Sequence, residues 1–328
     1  GILAACGLGL RVGAVNITSD QLLQIVSSTV FSSDAPSDTL FLIVMEIRLP
    51  RLLISLTVGA ALATAGVLMQ GVFRNSLADP SLVGVSSGAA LGAGLMIVGQ
   101  NTFIKSPEWG PWMVPIAAFI GGLLATMLVY RLSQRHGQTR VTTMLLAGIG
   151  INALAMAGTG LMLAVADDDE LRDLTIWTLG SLSGATWNHV MILVPLVGAL
   201  LAVSQWLAAS LDGLLLGEAE AAHIGISVES AKRWGILLSA AAVGASVALT
   251  GLIGFIGLVV PHLVRLIIGP RHLRLIFGAA GLGAILLTVA DVVARTTIAP
   301  AELPIGIMTA FLGVPFFLFL LARSDDAL

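Results

Sequence analysis

Apolar runs of membrane length recur along this chain, and they restrict its fold more than any other feature. A hydrocarbon core of about 30 Å is crossed by roughly 17 to 25 apolar residues in a helix. Stretches that meet this length fall near residues 48–70, 83–99, 112–132, 141–165, 188–209, 234–252, 254–268, 274–295 and 304–322. In lipid every backbone polar group must be satisfied internally, so each run predicts a helix. The chain is 57% hydrophobic and 11% charged, with a mean hydropathy of +0.98, whereas a soluble globule carries about a quarter charged residues. The expected fold is therefore all-α: a polytopic transmembrane bundle forming a single domain over residues 1–328. Gly1 to Leu10 reads as the tail of one more span, giving about ten, the first incomplete.

The 37 glycines suit close helix packing, where small residues let backbones approach. Cys6 is the single cysteine, which excludes an intrachain disulfide and a cysteine-based metal cluster.

Alternating spans sort the basic residues into two sets. One holds Arg74, Arg131, Arg135, Arg140, Lys232, Arg233, Arg265, Arg271, Arg274 and Arg323; the other holds Arg11, Arg48, Arg51, Lys105, Arg172 and Arg295. The larger set is expected in the cytoplasm by the positive-inside bias. The outer segment Asp167 to His189 starts acidic and carries Trp177 and Trp187, so it predicts a surface helix and turn with interfacial aromatics. The inner segment from Asp212 to Arg233 predicts a short amphipathic helix with Leu215, Leu216, Ala219, Ala222 and His223 on one side. Gly217 opens its turn and Gly225 ends it. An exposed helix on this face invites a partner.

A weak internal repeat is present. Arg48 and Gly66 are eighteen residues apart, as are Arg233 and Gly251, and Val58-Gly59-Ala60 recurs at the matching offset as Val243-Gly244-Ala245. The copies start on opposite sides, the pattern of an inverted repeat with a pathway at its interface.

The two lysines, Lys105 and Lys232, sit in no phosphate-cradling G-x-x-x-x-G-K-[ST] motif, so ATP must be hydrolysed by another chain. Ion-driven transporters keep carboxylates or histidines inside the bundle. Here Asp291 and Glu302 lie near an outer boundary and Asp79 near an inner one. His136, His223, His262 and His272 map to the inner side and His189 to the outer. None of the five is assigned to catalysis or to a metal. No clustered nucleophile, base or metal set points to an enzyme.

Arg48 and Arg51 share one face at a helix start, and Arg295 ends a later outward-facing span. Snorkelling to lipid headgroups is one reading. A lip for an acidic soluble partner is the other, because guanidinium groups fork carboxylates well. Asn75, Ser76, Asp79, Pro80, Ser81, Gly84, Ser86, Ser87 and Gly88 lie between two spans. The short gap between apolar runs favours a partly re-entrant turn lining a path, which Thr142 and Thr143 could face.

Four ordered blocks carry a family resemblance. They are RLPRLLISLTVGAALATAGVLMQGVFRNSLADPSLVGVSSGA at 48–89, LLAGIGIN at 145–152, GFIGLVVPHLVR at 254–265 and ADVVARTTIAPAELPIGIMTAFLGVPFF at 290–317. They closely resemble the FecCD-type permeases of bacterial type II ABC importers for iron-siderophores, heme and cobalamin. The resemblance implies ten helices per permease, with inverted repeats, in a homodimer or paired permeases of the inner membrane. It further implies two separate ATPase subunits holding ATP and Mg, a periplasmic binding protein, no cofactor on this chain and no nucleic-acid partner. By resemblance Arg48, Arg51 and Arg295 receive acidic residues of the binding protein. Asn75, Leu77, Thr142 and Thr143 narrow the inner end of the pathway. The segment Gly217 to Ser227, with Gly217, Glu218, Ala221, His223 and Gly225, matches the coupling helices that enter the ATPase cleft. LRDLTIWTLGSLSG, residues 171–184, looks most like the heme-permease branch.

Overall fold

The computed structural model describes all residues except 14, 16, 32–38, 104–109, 136 and 325–328. Lys105 and His136, with the last four residues of the polar tail, lie outside the described residues. The chain is helical almost throughout. In order come α1 (Ile2–Arg11), α2 (Ser19–Phe31), α3 (Thr39–Leu42), a π-helical stretch (Ile43–Arg48), α4 (Leu49–Phe73) and a 3₁₀ turn (Pro80–Val83). Then follow α5 (Val85–Phe103), α6 (Gly110–Ser133), α7 (Val141–Val165), α8 (Asp168–Leu179) and α9 (Trp187–Leu214). The series closes with α10 (Glu218–His223), α11 (Val228–Thr250), α12 (Ile256–Ile268), α13 (His272–Thr297) and α14 (Ile305–Ser324). A two-residue hairpin, Gln134–Arg135 against Gln138–Thr139, joins α6 to α7.

Among the described residues six helices are long and apolar enough to cross a membrane, and Ile2–Arg11, Val85–Gly99, Ile256–Ile268 and Ile305–Phe319 are shorter apolar helices. Six of the roughly ten expected spans thus have full membrane length, and the other four apolar segments are shorter. Helix α4 is buried on every side over most of its length, as a helix hydrophobic all round must be. It packs against α9, α11, α12 and α13. Close approach is possible because the backbones meet at glycines: a Cβ on Gly66 would lie 1.8 Å from the Gly257 carbonyl oxygen. The two helices of the sequence repeat, α4 and α11, have the most buried apolar windows of the six long spans and pack directly on each other.

Two expectations need correction. The run at 254–268 is not a full span, because α12 has 13 residues and rises only about 20 Å at 1.5 Å per residue. An irregular stretch from Gly251 to Phe255 precedes it, with Phe255 at φ 67. Nearby backbone is held by Ser181 N–H donating to the Thr250 carbonyl at 2.8 Å and Ile305 N–H to the Gly180 carbonyl at 3.0 Å. Non-helical backbone survives at membrane depth where protein covers it in this way. The segment 212–233 is likewise not one helix: Asp212 to Leu214 end α9, only Glu218–His223 forms the short helix, and Lys232 and Arg233 already belong to α11. Glycine at φ +119 (Gly217) and +88 (Gly225) brackets it, since left-handed backbone strains any other residue.

The outer segment forms the predicted surface helix. Asp167 accepts from the Glu170 N–H at 2.9 Å while Glu170 accepts from the Asp167 N–H at 3.1 Å, a reciprocal capping box. Trp187 then anchors the start of α9 by donating its indole N–H to the Met45 carbonyl at 3.0 Å.

Candidate functional site

The outer arginines are the first surprise. The helix from Thr39 to Phe73 spans 35 residues, about 52 Å at 1.5 Å per residue, so it outruns the hydrocarbon core. Arg48 and Arg51 lie within it, and Arg295 ends α13. Their exposures are 5%, 8% and 8%, and each guanidinium is held from within. Arg51 forks two carboxylates: Nη2 meets Asp291 Oδ1 at 2.8 Å and Nη1 meets Glu302 Oε1 at 2.8 Å. Arg48 donates to the Leu10 carbonyl at 2.6 Å and to the Val15 carbonyl. Arg295 donates to the Gly9 carbonyl at 2.6 Å, and its Nε lies 3.7 Å from Asp291.

The exposed lip expected of Arg48, Arg51 and Arg295 is therefore not formed. The physical reason is that α1 and the chain after it bring carbonyls over Arg48 and Arg295, while α13 and its following loop bring Asp291 and Glu302 to Arg51. A buried charge survives only with such partners. Asp291 and Glu302 were visible in the sequence as boundary carboxylates, yet nothing in their spacing named Arg51 as their partner.

At the inner end, α4 stops at Arg74, which is left-handed at φ 50. Short polar side chains then shape the turn. Asn75 Oδ1 accepts from the Leu77 N–H at 2.9 Å, and Asp79 Oδ1 accepts from the Ser81 N–H at 2.8 Å, capping the 3₁₀ turn. Removal from water pushes the Asp79 carboxyl above the usual carboxylate range, while the Ser81 contacts pull it down. Gly84, at φ +86, passes the chain into α5.

A cavity of about 380 Å³ opens beside this turn, lined by Leu62, Leu77, Asp79, Val243, Phe255 and Phe317 among others. Leu77 thus stands on its wall, whereas Asn75, Thr142 and Thr143 do not line it. Thr142 is exposed and Thr143 half-buried at the start of α7. Contacts further along join α7 to the turn: Asn152 donates to the Ser81 carbonyl at 3.3 Å and accepts from the Ser87 hydroxyl at 2.5 Å. A Cβ on Gly148 would lie 1.9 Å from the Leu82 carbonyl oxygen. Gly148 and Asn152 lie inside the LLAGIGIN block but carried no predicted role.

The third cluster joins the short inner helix to the rest. Helix α10 leaves Leu215, Leu216, Ala219, Ala222, His223 and Ile224 exposed on and around it, while Ala221 is buried. Glu218, its first residue, meets the buried Lys232 Nζ at 2.7 Å. That ammonium also donates to the Thr139 carbonyl at 2.9 Å, and Thr139 in turn donates to Glu229 through its N–H at 3.0 Å and its hydroxyl at 2.7 Å. Arg74 lies 3.9 Å from Glu218 on the other side. Glu218 is thus joined to the hairpin that leads into Thr142 and Thr143, and lies beside the residue that precedes Asn75. Lys232 counted in the sequence only toward orientation; its burial at 1% could not be read there. A fourth link, His272 Nδ1 to Asp212 at 2.7 Å, ties the end of α9 to the start of α13.

Among known proteins, a family model described as the FecCD transport family matches residues 1–323. The hemin transport system permease protein HmuU of Yersinia pestis is 45% identical over 290 residues, covering 88% of this chain and 86% of that protein. The cobalamin import system permease protein BtuC of Halobacterium salinarum is 41% identical over 88% of this chain and 75% of its own length. The Fe(3+) dicitrate transport system permease protein FecD of Escherichia coli is 40% identical over 86% of both chains. A solved structure of a metal-chelate type ABC transporter in an inward-facing conformation superposes with a TM-score of 0.84 at 28% identity, covering 98% of this chain and 96% of that one. The family match from residue 1 to residue 323, on a chain whose described residues form a bundle of apolar helices with α4 buried among them, establishes that the chain belongs to the FecCD transport family, as a multi-pass membrane permease.

Proposed function

We propose that this chain is the permease subunit of an ATP-driven importer in a bacterial inner membrane, and that its cargo is a bulky metal chelate, in first place heme. The observation that carries the importer reading is the exposed helix α10, whose Glu218 is ion-paired to the buried Lys232 and so joined to the hairpin before α7. An exposed amphipathic cytoplasmic helix tied to the inner turn suits a docking site for a separate ATPase, with Gly217, Glu218, Ala221, His223 and Gly225 forming the contact. Movement of α10 then displaces the hairpin before Thr142 and Thr143 and the turn carrying Asn75 and Leu77. The heme assignment is supported by the 45% identity to the hemin permease; cobalamin and ferric dicitrate are the alternatives, supported at 41% and 40%.

The chain itself binds no nucleotide in this scheme; ATP and Mg belong to the ATPase. A second copy of the permease packs along α7 and α14, whose outward faces are apolar: Leu154 is 68% exposed and Phe311 72%. The cavity beside Leu77 is mostly apolar, which suits weak holding of a passing ligand. A periplasmic binding protein docks at the outer end. There its carboxylates reach Arg51 only by exchanging with Asp291 and Glu302, and Arg48 and Arg295 only by displacing the carbonyls of Leu10, Val15 and Gly9, so docking and rearrangement of the outer end are one event.

Reconstitution into proteoliposomes with the ATPase and binding protein tests the reading. Uptake requires ATP, and heme outcompetes ferric siderophores and cobalamin. Uptake driven by an ion gradient without ATP would overturn the importer reading. Equal uptake of a rival chelate would overturn the heme assignment alone.

A further inference from the structure

Two adjoining cavities lie at the inner end of α6 and α11, apart from the cavity beside the turn. One is an apolar groove of about 370 Å³ between the two helices, walled by Leu123, Met127, Ile236 and Leu237. The other is a polar hollow of about 290 Å³ whose lining includes Ser227, Ser230 and Glu229. They share Tyr130, Gln134 and Arg233, and Arg131 lines the groove at the same end. Helices α6 and α11 are antiparallel neighbours, so the last turn of one and the first turn of the other place both arginines at one level. Among the described residues neither guanidinium has an ion-pair partner. Glu229 does not neutralise them, because its carboxylate is held by Thr139 and lies beside Lys232.

We infer that this double cavity is a binding site for an anionic phospholipid of the inner leaflet, one acyl chain in the groove and the headgroup in the hollow. The apolar walls match a hydrocarbon chain and exclude a hydrophilic occupant. Two unpaired arginines at the level where the groove ends match a phosphodiester, which guanidinium groups grip bidentately. Ser227, Ser230 and Gln134 beyond them offer hydroxyls and an amide to a polyol headgroup such as glycerol, so phosphatidylglycerol fits better than phosphatidylcholine. Tyr130 and the exposed Trp234 mark the same depth as the membrane interface, where amphipathic rings concentrate. Basic pockets between spanning helices on the cytoplasmic side are where anionic headgroups bind. The site rests on the membrane orientation of this chain and not on its cargo, and it is tested on the permease alone, apart from the transport assay.

The experiment is native mass spectrometry of the solubilised full chain with equimolar phosphatidylglycerol and phosphatidylcholine of identical acyl chains. Retention of phosphatidylglycerol over phosphatidylcholine is expected at about tenfold. The double variant Arg131→Gln/Arg233→Gln abolishes the preference, and Leu237→Trp, which fills the groove and keeps both arginines, lowers retention of both lipids. Equal retention by the wild-type chain, or an unchanged preference in the double variant, would overturn the proposal. So would displacement of the lipid by millimolar inorganic phosphate, since the hollow would then be a site for the free anion.

Discussion

Arg51 and Asp291 lie 240 positions apart in the chain and meet at 2.8 Å, both nearly excluded from solvent, at the outer end of the two helices that pack most closely. This pair closes the bundle where the sequence suggested an open lip. Burying a guanidinium and a carboxylate is tolerated only when both remain paired, and removing one leaves the other uncompensated.

Asp291→Ala therefore destabilises the permease by about 3–5 kcal/mol, read as a lowered Tm in detergent. Glu302→Gln costs less, because the Glu302 side chain is 39% exposed and water replaces part of the lost contact. Equal losses from the two substitutions would show that the pair with Asp291 is not the dominant one.

Lys232→Met tests the inner joint. The reconstituted complex retains its basal ATP hydrolysis, while transport per ATP falls roughly fivefold or more, the range of typical coupling between sites. Thr139→Val, which keeps the carbonyl that Lys232 uses and removes the hydroxyl to Glu229, gives a smaller loss. A normal ratio of transport to hydrolysis in the Lys232 variant would restrict that residue to folding.

Gly66→Ala probes the crossing of α4 and α12. Its methyl would fall 1.8 Å from a backbone oxygen, so the helices must part, at about 1–3 kcal/mol for overpacking. Gly150→Ala is the control: nothing lies within 4 Å of its Cβ position. Thermal melts of the two variants should diverge, with Gly150→Ala unchanged or slightly more stable.

Asp79 gives the fold a pH dependence. Burial raises its pKa in the folded state, so the folded form binds the proton more tightly than the unfolded chain does. Its contribution to stability is fully present below the ordinary carboxylate value of about 3.9 and is lost as pH rises through the raised folded value. Asp79→Asn keeps a capping oxygen and removes the charge, so its Tm exceeds that of the wild type at pH 7 and matches it near pH 4. A wild-type advantage at pH 7 would show that the ionised carboxylate stabilises the turn.

Legibility in the sequence divided along a physical line. Apolar length is a local property, so the all-α fold and its apolar helices followed from it; so did the turn after Phe73 and the glycine-bracketed segment at Gly217 and Gly225, where backbone conformation selects the residue. The same reading mistook α12 for a full span, because hydropathy cannot see that the preceding Gly251 to Phe255 is held irregular by contacts with Gly180, Ser181 and α14. Whether Arg48, Arg51 and Arg295 face a partner or one another depended on which distant carboxylates and carbonyls the packing delivers. Burial of Lys232 likewise depended on α10, α11 and the hairpin converging on one point. Helix length and turn chemistry are written in neighbouring residues, whereas the partner of a charge is set by contacts across hundreds of positions, and only the tertiary structure decides those.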